Sequence, residues 1–198
     1  MFRQPHRPIQ LSLPSKIDMK LDSLNMKPLS WVRFSWDLTK LPLVPFQLPD
    51  HYEISRAGKD DDQELRKVFS SSFLLDPIWN PAIGEVMRKV QSWLDRAFNS
   101  ENNPCLALRH GSRIIGATVL SLDPNADNHL APGPSVLMEY RNRGFGTRLL
   151  QSSLDLLREA GLTRATGIAR DVALATKFLY PKFDGRIELI DNRTLLAA

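Results

Sequence analysis

The chain has 198 residues, of which 42% are hydrophobic and 24% are charged, and its formal net charge is +4. This composition is typical of a globular protein, and the length suffices for one ordinary domain plus an extension. The single cysteine, Cys105, excludes an internal disulfide and a multi-cysteine zinc site. A membrane-spanning helix needs about 18 consecutive apolar residues, and no apolar stretch approaches that length. We therefore expect a cytoplasmic protein with no membrane partner.

The first part of the chain is predicted to be an N-terminal extension over residues 1–50, ahead of a domain over residues 51–198. Residues 1–30 contain four prolines and little periodicity, which is typical of a partly ordered arm. Residues 31–38 alternate between apolar and polar side chains, and this pattern predicts a strand.

The remaining elements follow from periodicity, caps and turn residues. Three consecutive aspartates at 60–62 indicate a helix start, because carboxylates there match the helix dipole. Gly111-Ser112 favours a hairpin turn. In chain order we predict a strand at 52–56, a helix from the aspartates at 60–62 to about 73, a helix from 81 to about 98, strands at 105–110, 113–122 and about 130–138, a helix to about 160, a strand at 162–169, a helix at 171–179 and a strand at 186–190.

A glycine-rich turn joins the strand ending near Met138 to the next helix, in the run Arg-Asn-Arg-Gly-Phe-Gly over residues 141–146. Backbone N–H groups and the dipole at a helix start favour a phosphate there, and glycine lets it approach the backbone. Two other phosphate motifs fail on their residues. Leu149 stands where a dinucleotide-binding motif needs its third glycine, and Ala117 stands where a P-loop needs lysine.

The fifteen residues from Val136 to Leu150 resemble the acetyl-CoA signature of the GCN5-related N-acetyltransferase (GNAT) family. That signature reads Gln or Arg, any two residues, Gly, any residue, then Gly or Ala. It usually follows Val-x-Pro-Glu-Tyr and precedes Thr and two leucines. Met138 stands where the family often has proline, and Asn142 where it often has glycine. Neither change removes an N–H donor that the site requires.

The resemblance covers roughly residues 52–190 and implies an α/β (mixed α+β) fold with a central mixed, mostly antiparallel split sheet flanked by helices. The family usually closes with two long strands after its last helix, whereas this chain has room for about one. We therefore expect the strand at 31–38 to fill the vacant position in the sheet, either in this chain or in a partner chain. The second arrangement would make the protein a homodimer.

The resemblance also implies acetyl-CoA as the acyl donor. The backbone of the split strand would hold the pantetheine arm, and the glycine turn would bind the pyrophosphate, with Arg141 and Arg143 adding positive charge. The predicted contacts are Val136, Leu137, Met138, Arg141, Asn142, Arg143, Gly144, Phe145, Gly146 and Thr147.

Three residues are candidates for a role in catalysis. Residues 175–183 resemble the family's closing helix, in which a tyrosine lies near the CoA sulfur, so Tyr180 is the candidate acid that protonates the thiolate. Asp184-Gly185 replaces the Gly-Phe that the family has next. His129 and Glu139 are candidate bases, and a water chain is the alternative. Trp79, between the first two helices, is a candidate acceptor contact. The sequence has no H-E-x-x-H motif and no Cys/His cluster, so we expect no metal.

The function predicted from this resemblance is acetyl transfer to a primary amine by direct attack in a ternary complex. The alternative is a catalytically inactive module that binds acyl-CoA. Nucleic acid is not an expected partner, because the basic residues form no stripe with interleaved aromatic side chains. The acceptor is not specified by the sequence.

Overall fold

The computed structural model describes residues 30–42 and 47–190. Their order of elements is the predicted one, with strands and helices that begin and end close to the predicted limits. In these ranges the strands are Trp31–Asp37 (β1), Tyr52–Arg56 (β2), Cys105–His110 (β3), Arg113–Val119 (β4), Ser135–Val136 (β5), Arg164–Arg170 (β6) and Arg186–Ile190 (β7). The α-helices are Asp62–Leu74 (α1), Ile83–Asn99 (α2) and Phe145–Glu159 (α3).

The strands form two antiparallel sheets, with the orders β2-β3-β4-β5 and β6-β1-β7. The sheets separate between β5 and β6, which no ladder of hydrogen bonds joins in the described ranges. Helix α3 connects these two strands. The predicted fold class, a mixed α/β fold with a split sheet flanked by helices, is confirmed.

Strand β1 occupies the position that the sequence left vacant. It lies between β6 and β7, with Trp31 opposite Arg170 on one side and opposite Ile190 on the other. The expectation that this strand completes the sheet is therefore confirmed within a single chain. A domain limit at residue 50 and a homodimer remain predictions, although β1 pairs on both sides with strands of the proposed domain.

The two faces of the β6-β1-β7 sheet differ in chemistry. Val32, Phe34 and Trp36 are fully buried, and the rings of Phe34 and Trp36 each lie 5.4 Å from that of Tyr180. Side chains alternate along a strand, so Trp31 and its directly paired partner Arg170 point to the opposite face. Tyr180 and Arg170 consequently approach the split from different sides of the sheet.

Three elements are clearly shorter than predicted, and the first of them is the strand expected over 113–122, which ends at Val119. The strand expected over about 130–138 is reduced to Ser135–Val136, preceded by a single bridge from Leu130 to Leu120. Pro132 and Pro134 cause this, because a proline has no N–H to donate to a ladder.

The prediction of a helix over 171–179 was also wrong in extent, because the helix that forms there is shorter. It is one π-helical segment, Ala175–Leu179, in which the Tyr180 N–H reaches back five residues to the Ala175 carbonyl, 2.8 Å away. The Thr176 hydroxyl donates to the Arg170 carbonyl at 2.5 Å, and this bond closes the preceding turn without α-helical geometry. Among the helices of the described residues, none is both long and apolar enough to span a membrane.

Candidate functional site

The glycine turn lies directly before α3, and its backbone is shaped for an anion. Gly144 has φ +82° and Asn142 has φ +62°, both in the left-handed region. The positive φ by itself therefore favours glycine at position 144, whether or not a ligand binds. In the described ranges, the N–H groups of residues 143–147 have no protein acceptor. Five unpaired donors at a helix N-terminus form a site suited to a phosphate.

Neighbouring elements hold this turn in place. Phe145 is buried, and its ring lies 4.6 Å from that of Tyr52 on β2. A Cβ on Gly146 would lie 3.7 Å from the Leu179 side chain of the π-helix, an ordinary contact distance. Thr147 is half-buried in the first turn of α3. The donors are thus positioned by packing, before any ligand binds.

The side chain of Arg141 is occupied by partners within the protein, and this geometry gives no support to the prediction that it adds charge at the phosphates. Its Nε donates to the Val136 carbonyl at 3.0 Å, and its Nη2 donates to the Ser72 carbonyl at 2.9 Å. Its Nη1 forms an ion pair with Asp76 at 3.2 Å. Ser72 carries one of the last four carbonyls of α1, which lack partners within the helix. Arg141 therefore caps α1 and ties it to β5.

Arg143, in contrast, is exposed and free to face a ligand. Its guanidinium lies 5.6 Å from the centre of the Tyr140 ring, and Arg113 lies 5.7 Å from the same ring. Both guanidinium groups lie against one half-buried ring, and because Arg113 is paired with Glu139, Arg143 supplies the positive charge that is unpaired among the described residues on this side of the turn. Arg143 is the arginine of the signature that remains available to a phosphate.

Strand β5 presents backbone groups to the split. The Leu137 N–H donates to the Ile115 carbonyl of β4 at 2.9 Å. Successive N–H and C=O groups point to opposite edges of a strand, so those of Val136 point toward β6. The Val136 carbonyl accepts from Arg141, and in the described ranges its N–H has no acceptor. Met138, just after the strand, is largely exposed.

Tyr180 lies on the other side of the split, buried to 3% exposure between Phe34 and Trp36. Its hydroxyl touches Gly133, where a methyl group would overlap the phenol oxygen. Burial raises the pKa of Tyr180, since the phenolate would lose its hydration. The group is therefore a neutral proton donor that faces the start of β5. Gly133 was not predicted, since nothing local in the sequence indicates its contact with Tyr180.

His129 is placed differently from an exposed loop histidine. It is 2% exposed, and its Nδ1 accepts the Thr166 N–H at 3.0 Å. Its own backbone N–H donates to the Thr166 carbonyl at 2.8 Å. The Nε2 atom is buried and has no partner in the described ranges. His129 thus fastens the loop before β5 to β6, and this geometry gives no support to its prediction as a base.

This burial makes His129 a source of acid sensitivity. Desolvation lowers its pKa below the ordinary 6.5, so the folded state keeps the ring neutral while the unfolded chain takes up a proton. Stability should therefore fall as pH drops below about 6.5, with a limiting slope of about 1.4 kcal/mol per pH unit. Urea unfolding at pH 7 and pH 5 should show this loss in wild type and a smaller one in His129→Asn. Equal losses in both proteins would contradict the assignment.

The remaining two candidates lie at the rim. Glu139 is exposed and pairs with Arg113 at 2.9 Å, so no feature of its surroundings supports its prediction as a base. Trp79 is half-buried between Phe73, at 5.0 Å, and Trp31, at 6.2 Å. The Arg170 guanidinium lies 6.0 Å from the Trp79 ring centre. Trp79 therefore borders the face opposite Tyr180, where its prediction as an acceptor contact remains open.

Arg170 is the residue of this region that sequence reasoning missed. The available signal was a charged residue closing a strand whose preceding residues, Ala165 to Ala169, are small or apolar apart from Thr166. Elsewhere, no group of three or more His, Cys, Asp or Glu side chains among the described residues is arranged to hold a metal ion.

Comparisons with known proteins agree with this geometry. A GCN5-related N-acetyltransferase from Sphaerobacter thermophilus aligns with 82% of this chain and 50% of its own length, at 16% identity and a TM-score of 0.59. A Drosophila protein aligns with 82% of this chain and 51% of its own, at 16% identity and 0.55. A GCN5-related N-acetyltransferase from Kribbella flavida aligns with 81% and 55%, at 10% identity and 0.52.

These likenesses show the fold, and the chain spans about half the length of the solved structures that it matches. No curated protein matches the sequence. The model of the acetyltransferase (GNAT) family matches residues 64–183, more than half of the chain. Together with the glycine turn and the split sheet, this match shows that the chain belongs to the acetyltransferase (GNAT) family.

Proposed function

We propose that the protein is an acetyl-CoA-dependent N-acetyltransferase that acetylates a primary amine in a ternary complex. The observation that carries this proposal is the set of unpaired N–H groups at residues 143–147, beside a split bordered by β5 and Tyr180. A phosphate site that opens onto a gap between strands suits a long substrate with a pyrophosphate at one end.

Acetyl-CoA would bind in an extended form along this path. Its pyrophosphate would accept hydrogen bonds from the turn, and Arg143 would add charge. The amide groups of the pantetheine arm would pair with the outward-facing backbone of Val136, as an added strand does. This arrangement would bring the thioester near Gly133 and the Tyr180 hydroxyl.

The reaction then needs positioning and two proton transfers. The neutral amine attacks the thioester carbonyl, and the tetrahedral intermediate expels the CoA thiolate. Tyr180 gives its proton to the departing sulfur and regains one afterwards. The proton lost by the amine leaves through water, because neither His129 nor Glu139 is placed as a base.

Release of free CoA thiol from acetyl-CoA, in the presence of a panel of primary amines, tests this proposal. We expect amine-dependent thiol release, with the acetylated amine identified by mass spectrometry. Tight acetyl-CoA binding without any amine-dependent release would favour the alternative, a catalytically inactive acyl-CoA-binding module.

A further inference from the structure

Arg170 carries a buried charge for which residues 30–42 and 47–190 supply no counterion. It is 8% exposed, and it is the one buried residue among the Asp, Glu, Lys and Arg side chains of the described ranges. None of the ion pairs in those ranges involves it. A guanidinium stays charged at any relevant pH, and burying it unpaired is strongly unfavourable.

The hydrogen bonds of Arg170 are also incomplete. Its Nη1 donates to the Ile78 carbonyl. Its Nε is buried, and neither Nε nor Nη2 has an acceptor among the residues that the structure describes. Nε and Nη2 form one edge of the guanidinium plane, and that edge matches the two oxygens of a carboxylate. The free edge is thus a site for a bidentate carboxylate.

The position of this edge relates it to the proposed reaction. Arg170 is the last residue of β6, one of the two strands that border the split, and it lies on the face opposite Tyr180. Trp31 and Trp79 flank the guanidinium on that face. If acetyl-CoA enters the split on the face of the sheet where Tyr180 lies, the face where Arg170 lies remains for the acceptor amine.

We propose that Arg170 binds a carboxylate of the acceptor, so that the substrate is an amino acid or a similar amine with a carboxylate close to its amino group. This inference rests on the proposed function, and it adds the substrate class. The carboxylate supplies the missing counterion, and the rings of Trp31 and Trp79 contact the apolar part of the acceptor.

Matched acids and amides test the proposal directly. Glycine, alanine and phenylalanine are compared with their carboxamides as acceptors, at saturating acetyl-CoA, by thiol release. For wild type we expect kcat/KM to be at least about 100-fold higher for the acids, because a site built to bind a group rejects its analogue strongly. The amides have less basic amines and hence more free base at neutral pH, so amine reactivity alone predicts the opposite preference.

The Arg170→Gln variant then distinguishes recognition from structural support. We expect it to lose about 100-fold in kcat/KM for the acids and less than about 3-fold for the amides, with Arg170→Lys in between. Melting temperature and acetyl-CoA affinity are the controls for folding. An equal loss for acids and amides in a folded variant would show that Arg170 only supports Ile78 and Trp79, and would overturn the proposal.

A binding experiment separates failure of this inference from failure of the proposed function. N-acetylglycine and N-acetylglycinamide are titrated into the protein saturated with CoA. Binding of the acid alone, lost in Arg170→Gln, would support the carboxylate site even if no amine is turned over. Turnover of amides and acids alike, with no selective binding of the acid, would leave the acetyltransferase intact and remove the carboxylate site.

Discussion

The Gly144→Glu variant is expected to lose acetyl-CoA affinity by at least about 100-fold, about 2.7 kcal/mol of binding free energy. Position 144 precedes the first residue of α3, where the N–H groups of residues 143–147 are unpaired. A Cβ there would meet no atom within 4 Å, so the new side chain has room, although the positive φ of residue 144 strains the backbone. The new carboxylate would compete with the pyrophosphate for the same donors and repel its charge. Calorimetric titration with acetyl-CoA measures the effect.

Gly161→Glu is the matched control for this variant. Gly161 has φ +90° and open space around its Cα, like Gly144, so the same substitution imposes a similar backbone strain of about 1–2 kcal/mol. It follows the other end of α3, a 15-residue helix about 22 Å long. We expect near wild-type acetyl-CoA affinity in Gly161→Glu. Equal affinities in both variants would mean that the turn is only a helix start.

The second large effect is expected for Tyr180→Phe, which should lower kcat about 100-fold while leaving acetyl-CoA affinity unchanged. The substitution removes only the hydroxyl and keeps the ring that packs on Phe34 and Trp36. A phenol is protonated at neutral pH, and burial, which raises the pKa of Tyr180, keeps it so. Steady-state kinetics with the best acceptor found in the amine panel gives kcat directly. Unchanged kcat in a folded Tyr180→Phe protein would exclude the phenol as the leaving-group acid.

Gly133→Ala is an independent test of the role of the Tyr180 hydroxyl. The added methyl group would overlap the Tyr180 hydroxyl, whereas it would lie 3.4 Å from the ring carbon that bears the hydroxyl. We therefore expect Gly133→Ala to lower both melting temperature and kcat in the Tyr180 protein. In the Tyr180→Phe background the same change should cost much less stability and no further kcat. Additive effects on both quantities would show that the two groups do not interact.

Gly144→Glu and Tyr180→Phe together also separate the enzyme from the inactive module. Gly144→Glu affects binding in either case, because the phosphate site serves both functions. Tyr180→Phe has a phenotype only if chemistry occurs in the split. A protein in which the first variant loses affinity and the second matches wild type in every assay would be the acyl-CoA-binding module.

Sequence prediction succeeded where neighbouring residues suffice to define a structure. The turn at 141–146 and the hairpin at Gly111-Ser112 each consist of consecutive residues, and both are found where the pattern predicted them. The helices α1 and α2 follow from apolar spacing over their own length. Pro132 and Pro134 shortened the strand predicted over about 130–138, because their effect on the ladder depends on which neighbours the strand pairs with.

The side-chain chemistry of the site could not be predicted in the same way. Arg141 looked like a phosphate ligand in the sequence, but its partner Asp76 lies 65 residues away along the chain. Arg170 meets the Ile78 carbonyl across 92 residues. His129 meets Thr166 across 37. Whether a charged or polar group is free or occupied depends on which distant groups the fold brings next to it, and no local pattern encodes that.

By itself, then, the sequence determined the glycine turn, the order of elements and the family resemblance, because backbone geometry and helix dipoles depend on residues that are adjacent in the chain. Only the tertiary structure decided that β1 completes the sheet between β6 and β7, that Arg141 caps a helix, and that Arg170 is buried with no counterion among the described residues. Desolvation and hydrogen-bond pairing are properties of a side chain's three-dimensional surroundings, and those surroundings are assembled from segments far apart in the sequence.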